Sequence, residues 1–112
     1  MDIINKSREL TNQEIYFLTK ARDIQKMQTA VDQRLEMESW IIYTDVNSNG
    51  ENNDIFSLRT PEGESFATNS PSFIKAFLDI LDCFDRADIH SIKVCNGTSK
   101  AGRKYLYCVY VD

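Results

Sequence analysis

Residues Ser70–Phe84 read SPSFIKAFLDILDCF, and this stretch decides the fold because it is the one unambiguous helix in a chain otherwise written in strands. Ser70 can cap the first turn, and Pro71 suits the first helical position, where an amide would lack a partner in any case. Phe73, Ile74, Phe77, Leu78, Ile80, Leu81 and Phe84 recur at helical spacing and predict one broad apolar face. Asp79, Asp82 and Asp85, with Asp88 just beyond, read as the solvated side of the same helix.

Working outward, three strands are predicted before this helix and two after it. RLEMESWIIYTDV (34–46) alternates at Leu35, Glu36, Met37 and Glu38, then turns aromatic and β-branched, which predicts a long strand with one wet face. A change of phase near Ser39 and Trp40 predicts a bulge or sharp bend there. NSNGENND (47–54) reads as a loop, IFSLRT (55–60) as the second strand, PEG as a turn and ESFAT (64–68) as a short third strand. Beyond the helix, DIHSIKVC (88–95) and KYLYCVYV (104–111) are the last two strands, joined by a hairpin. Near the N-terminus, Thr11 and Glu14 fit a capping box opening a short helix with Ile15, Leu18 and Tyr16 on its apolar face. DIQKMQTAVDQ (23–33) reads equally as a helical turn or an irregular lead-in.

The order β-β-β-α-β-β with a long bent first strand is that of an OB-fold. The expectation is a mainly β protein with helices. Residues 34–112 would form an OB-fold-like five-stranded barrel, and residues 1–33 an N-terminal helix and lead-in packed on it, all one structural domain. A split α+β sheet built from the same elements stays open.

A hydrophobic fraction of 42% and a charged fraction of 27% are ordinary for a globular chain of 112 residues. No apolar run is long enough for a membrane span, and no signal-peptide pattern opens the chain. Three cysteines, Cys83, Cys95 and Cys108, include no C-x-x-C pair, so reduced thiols and a cytoplasmic location are expected. The formal charge of −4 is unevenly spread. Residues 1–34 are close to neutral, residues 35–91 carry eleven acids against three bases, and residues 92–112 carry four bases against one acid.

Several tempting signals fail on inspection. Asp45, Asn47, Asn49 and Gly50 imitate the start of a calcium loop, but Phe56 stands where the bidentate glutamate is needed. His90 and the three cysteines lack metal-ligand spacing, and the thiols sit in apolar patterns, where cysteine is a small buried hydrophobe. No nucleophile elbow, phosphate-binding loop or zinc-protease motif is present. No enzyme, metal or cofactor is expected.

What stands out is KVCNGTSKAGRKYLYCVYV (93–111), an acid-free hairpin in an acidic protein. Lys93, Lys100, Arg103 and Lys104 fall in it. On the last strand Leu106, Cys108 and Tyr110 alternate with Tyr105, Tyr107 and Val109, so Tyr105 and Tyr107 are expected on the outer surface. Cations for phosphates and flat rings for unstacked bases are what single-stranded nucleic acid needs. Strand tyrosines with a wet hydroxyl are also ordinary packing residues, and the pattern alone leaves both readings open.

NGTSKAGRKYLYCVYV, with FSLRTPEGESFATNSPSFIKAFLDI and the opening INKSRELTNQEIYFLTKA, resembles the small single-stranded-DNA-binding proteins of tailed phages of Gram-positive bacteria. The resemblance runs from about residue 4 to residue 111. It implies an OB-like barrel that coats single-stranded DNA in replication, beside replication proteins as partners, in the host cytoplasm, with no reaction and no metal. It carries over only Lys100, Arg103, Lys104 and Tyr105 of the hairpin. Local reasoning adds Trp40 and Tyr43 on the bent strand, Phe56 and Arg59 on the second strand and Phe66 on the third, with Trp40, Phe56 and Phe66 equally readable as core. A rival expectation is an acidic protein-binding inhibitor or nucleic-acid mimic working through residues 35–91. A third is an assembly role for the N-terminal helix. Monomer or dimer stays open.

Overall fold

A computed structural model describes every residue from Met1 to Asp112. Its first half runs β1 (Asp2–Lys6), α1 (Asn12–Thr19), β2 (Gln25–Lys26), a 3-10 turn at Met27–Ala30, β3 (Arg34–Glu36) and β4 (Ser39–Val46). There follow β5 (Asn52–Arg59), β6 (Ser65–Thr68), α2 (Pro71–Cys83), a 3-10 turn at Arg86–Asp88, β7 (Ser91–Thr98) and β8 (Lys104–Val111). The strands form a five-stranded sheet in the order β1-β4-β5-β6-β2 and a three-stranded sheet in the order β3-β7-β8. The protein is therefore mainly β with two α-helices. The two sheets do not close into a barrel, which corrects the expectation of a five-stranded barrel over residues 34–112.

The predicted long strand is real but divided. Met37 N–H donates to the His90 carbonyl at 2.8 Å, and the next amide, Glu38 N–H, donates to the Arg59 carbonyl at 2.8 Å. Consecutive amides thus bond to different sheets, and the bend falls at Met37–Glu38 rather than at Ser39 and Trp40. The expected wet face is missing from most of β4, where Ser39 through Tyr43 are all buried. Trp40 and Ile42 face the main core, while Ile41 and Tyr43 pack with Leu18 of α1 on the opposite side. A central strand covered on both faces must be apolar throughout, which explains the unbroken Trp-Ile-Ile-Tyr run.

Helix α2 fills the space between the sheets. The Ser70 hydroxyl accepts from Phe73 N–H at 3.3 Å, and Pro71 occupies the first turn. Phe73, Ile74, Phe77 and Ile80 are buried. Phe77 lies 4.8 Å from Trp40 in an edge-to-face contact and 4.5 Å from Phe56, ring centre to ring centre. The apolar face is narrower than the sequence suggested. Leu78 is exposed, and Phe84 leaves the helix to stack on Tyr110 at 4.0 Å.

Residues 1–33 are woven into this body. β1 pairs antiparallel with β4, and β2 adds a short parallel pairing to β6. The Thr11–Glu14 capping box is present in both directions, and Leu18 is fully buried. No helix is long and apolar enough to cross a membrane.

Candidate nucleic-acid interface

The hairpin β7–β8 projects from the three-stranded sheet, and its register fixes which side chains share a face. Cys95 pairs with Tyr107 and Gly97 with Tyr105, so Lys93, Cys95, Gly97, Tyr105, Tyr107 and Val109 lie on the outer face. Leu106 and Cys108 point inward and are buried, as the alternation predicted. The connection is tight. Gly102 N–H donates to the Ser99 carbonyl at 2.9 Å, Ser99 N–H donates to the Arg103 carbonyl at 2.8 Å, and Gly102 takes a φ of +81°. A turn followed by a left-handed residue is a common three-residue hairpin loop, and glycine adopts that conformation without a Cβ clash. Lys100 sits at its tip.

Gly97 serves a different purpose. A Cβ there would stand 2.5 Å from both Cζ and Oη of Tyr105, so the tyrosine ring lies directly over the glycine backbone. The Tyr105 and Tyr107 ring centres are 5.8 Å apart with planes inclined by 36°. Tyr105 is 44% exposed, which leaves the ring available to a flat ligand. The Tyr107 hydroxyl is pushed above the ordinary phenol value, first by Cys95 beside it and then by desolvation. It therefore stays protonated at neutral pH and can donate a hydrogen bond.

The cations of the hairpin itself are unpaired. Lys6, Arg8, Lys20, Arg34 and Lys75 each pair with a carboxylate, whereas Lys93, Lys100, Arg103 and Lys104 pair with none. Lys93 stands across from Arg34 of β3, which extends the cationic edge, although Arg34 is also engaged by Glu36 and by the Asp112 carbonyl. Lys104 departs from the simple picture. Strand alternation sends it to the opposite face from Tyr105, where it borders a cleft beside the start of α2.

The other sequence-derived candidates separate from the hairpin. Trp40, Tyr43 and Phe56 are 1%, 4% and 0% exposed, so these three cannot offer a stacking surface. They belong to β4 and β5, the central strands enclosed by α1 on one side and the main core on the other. Phe66 is likewise core. Arg59 lies on the α1 side of the five-stranded sheet, with its guanidinium 4.2 Å from the Phe17 ring centre. Two members of the outer face, Arg34 and Cys95, escaped sequence reasoning. Arg34 joins through the β3–β7 pairing, which no local pattern announces, and Cys95 through its register opposite Tyr107 in the hairpin.

The remaining chemistry is sparse. No group of three or more histidine, cysteine or acidic side chains is arranged to hold a metal ion. The Asp45–Gly50 segment is a side-chain-capped turn, with Asn47 Oδ1 accepting from the amides of Asn49 and Glu51. Burial pushes the Cys108 thiol up to about 12, with a smaller contribution from Cys95, so it is inert at neutral pH. Comparison of the chain with protein families, with curated proteins and with solved structures finds no match.

Proposed function

We propose that this protein is a non-catalytic single-stranded-DNA-binding protein that holds the strand on the outer face of the β7–β8 hairpin. The observation that carries the reading is the coincidence, on one small surface, of unpaired cations with two neighbouring tyrosine rings. Lys93, Lys100 and Arg103 neutralise phosphates, while Tyr105 and Tyr107 receive bases. Stacking is tolerant of sequence because every base has a π-face. The net negative charge opposes this little, since binding follows the local field and distant acids are screened within about 8–10 Å. Of the nearer acids, Glu36 is paired with Arg34, and Asp32 is the smallest influence on Tyr107. The element order β4-β5-β6-α2-β7-β8, with a first strand bent across two sheets, supports kinship with the OB-fold as an opened variant of that barrel. The role in phage replication belongs to the same proposal and rests on the sequence resemblance.

The test is a paired charge reversal. In the Lys100→Glu/Arg103→Glu variant, affinity for a labelled deoxythymidine oligomer collapses while the thermal unfolding midpoint holds. A second reading has its own observation. Asp82, Asp85 and Asp88 are exposed and unpaired beside the exposed Leu78 and Phe84, a surface suited to a basic protein partner. If Asp82→Lys/Asp85→Lys abolishes function in the cell while the hairpin reversal is silent, the acidic face is the working surface and the DNA reading falls.

A further inference from the structure

The hairpin has a second side. Behind Tyr105, an open cleft of about 560 Å³ lies between the 3-10 turn at Met27–Ala30, the first turn of α2 and the strands β7 and β8. That volume is within the range of small-ligand sites and exceeds what one nucleotide needs. Val31, Pro71 and Leu106 give it an apolar lining, and Tyr105 stands at its rim, shared with the outer face. Two side-chain amides, Gln28 and Asn96, also line it, and neither makes a hydrogen bond within the protein. Lys104 supplies an unpaired cation, and no acidic side chain is among the residues lining the cleft.

We infer that this cleft accepts one unpaired base of the bound strand, with Lys104 holding the adjoining phosphate. The inference rests on the reading of the hairpin as a single-strand interface and assigns it a second subsite. The passage between the two faces is open, because β8 is an edge strand of its sheet. Hydrogen-bonded pairing of Ser99 with Arg103 sets the phase, so the even-numbered residues of β8 direct their backbone groups away from β7. At Leu106 that edge is already occupied, its carbonyl accepting from the Ser72 hydroxyl at 2.6 Å. A strand stacked on Tyr107 and Tyr105 can therefore turn over the edge before Leu106 and deliver its next base into the cleft. An amide offers donors and an acceptor, so Gln28 and Asn96 can meet the Watson–Crick edge of a base, while the apolar lining covers its faces.

This gives the protein a base preference that a purely stacking surface lacks. The experiment compares wild type with Gln28→Ala/Asn96→Ala, both positions being exposed, in binding to deoxythymidine, deoxycytidine and deoxyadenosine 12-mers and to an abasic 12-mer of equal charge. Wild type distinguishes at least two of the three bases, and the double variant loses that difference by on the order of tenfold, with an unchanged salt slope. In spectra of the nitrogen-15-labelled protein, the side-chain amide signals of Gln28 and Asn96 shift with the deoxythymidine 12-mer and stay put with the abasic one. A free mononucleotide at the same base concentration produces no such shift, because the strand delivers the base. If wild type binds all three 12-mers equally, or the variant keeps the full preference, or the amide signals ignore the bases, the cleft is not a base subsite and the outer-face reading survives alone. Equal response to the mononucleotide would also overturn delivery by the strand. Absence of wild-type binding to every oligomer would instead remove the outer-face reading itself.

Discussion

Replacing Gly97 by alanine separates the work of the tyrosine platform from the stability of the fold. The new Cβ would lie 2.5 Å from Cζ and Oη of Tyr105 and 3.0 Å from Cε1, so something must move. Those atoms are the tip of a half-exposed ring, which swings on its own χ angles, whereas the backbone of β7 at Gly97 is held in its ladder with β8. The ring therefore yields. Alanine in a strand interior is favoured over glycine by roughly 0.5–1 kcal/mol in backbone entropy, and the lost ring contact offsets this. Stability should change by less than about 1 kcal/mol. Binding should respond more strongly, because the displaced ring loses its place 5.8 Å from Tyr107. A stacked base contributes roughly 1–3 kcal/mol, so affinity for a deoxythymidine oligomer falls between about 5-fold and about 150-fold, with Tyr105→Ala marking the limit. Fluorescence anisotropy of a labelled oligomer and urea unfolding measure the two effects on one preparation. The decisive control is the double-mutant cycle: in a Tyr105→Ala background, Gly97→Ala should cost no further affinity. An equal loss in both backgrounds would refute the argument, and so would a large stability loss in the single variant.

Other perturbations test the frame that holds this surface. Phe77 touches both Trp40 and Phe56, so Phe77→Ala should cost about 3–5 kcal/mol in urea unfolding, and Phe77→Leu much less. The Glu14 carboxyl is held down from 4.5 to about 2, chiefly by the Arg8 guanidinium and then by the Thr11 amide. A depressed folded-state pKa stabilises above the unfolded value, so this contribution is present above pH 4.5 and fades as the pH falls from 4.5 to about 2. Glu14→Gln should accordingly be less stable than wild type at neutral pH and converge with it at the acid end of that window. Among the thiols, the exposed Cys83 and half-buried Cys95 should react with maleimide in the native protein while the buried Cys108 waits for unfolding. Mass mapping should show bound oligomer slowing Cys95, which lies beside Tyr107, and leaving Cys83 unaffected.

The elements that announced themselves in the sequence are those whose signals are local. Ser70 and Pro71 start α2 where expected, Thr11 and Glu14 close their box, and β8 runs from Lys104 to Val111 with its predicted inward set. What escaped depends on distant pairing. Asp2–Lys6 is too short and mixed to read as a strand, and it becomes one because β4 offers an edge. The break at Met37–Glu38 is decided by His90 and Arg59, residues far along the chain. At the site, alternation along β8 found Tyr105 and Tyr107, since period two is visible in one strand. Trp40, Tyr43 and Phe56 were equally aromatic, and only the covering of both faces of β4 and β5 removes them. Lys104 was grouped with its neighbours although alternation sends it to the cleft, and Arg34 joined the face through a pairing that sequence does not reveal.

The central claim is that a single strand lies across the outer face of β7–β8, and salt-dependent affinity tests it most directly. A labelled deoxythymidine oligomer and a duplex of the same length are titrated with wild-type protein over a range of salt concentrations. With about three phosphates neutralised by Lys93, Lys100 and Arg103, the slope of log affinity against log salt for the single strand should be near −0.7 times three, about −2. The duplex, whose bases are stacked and closed to the tyrosines, should bind far more weakly at every salt concentration. No binding of the single strand at micromolar protein in low salt, or equal binding of strand and duplex, would contradict the account.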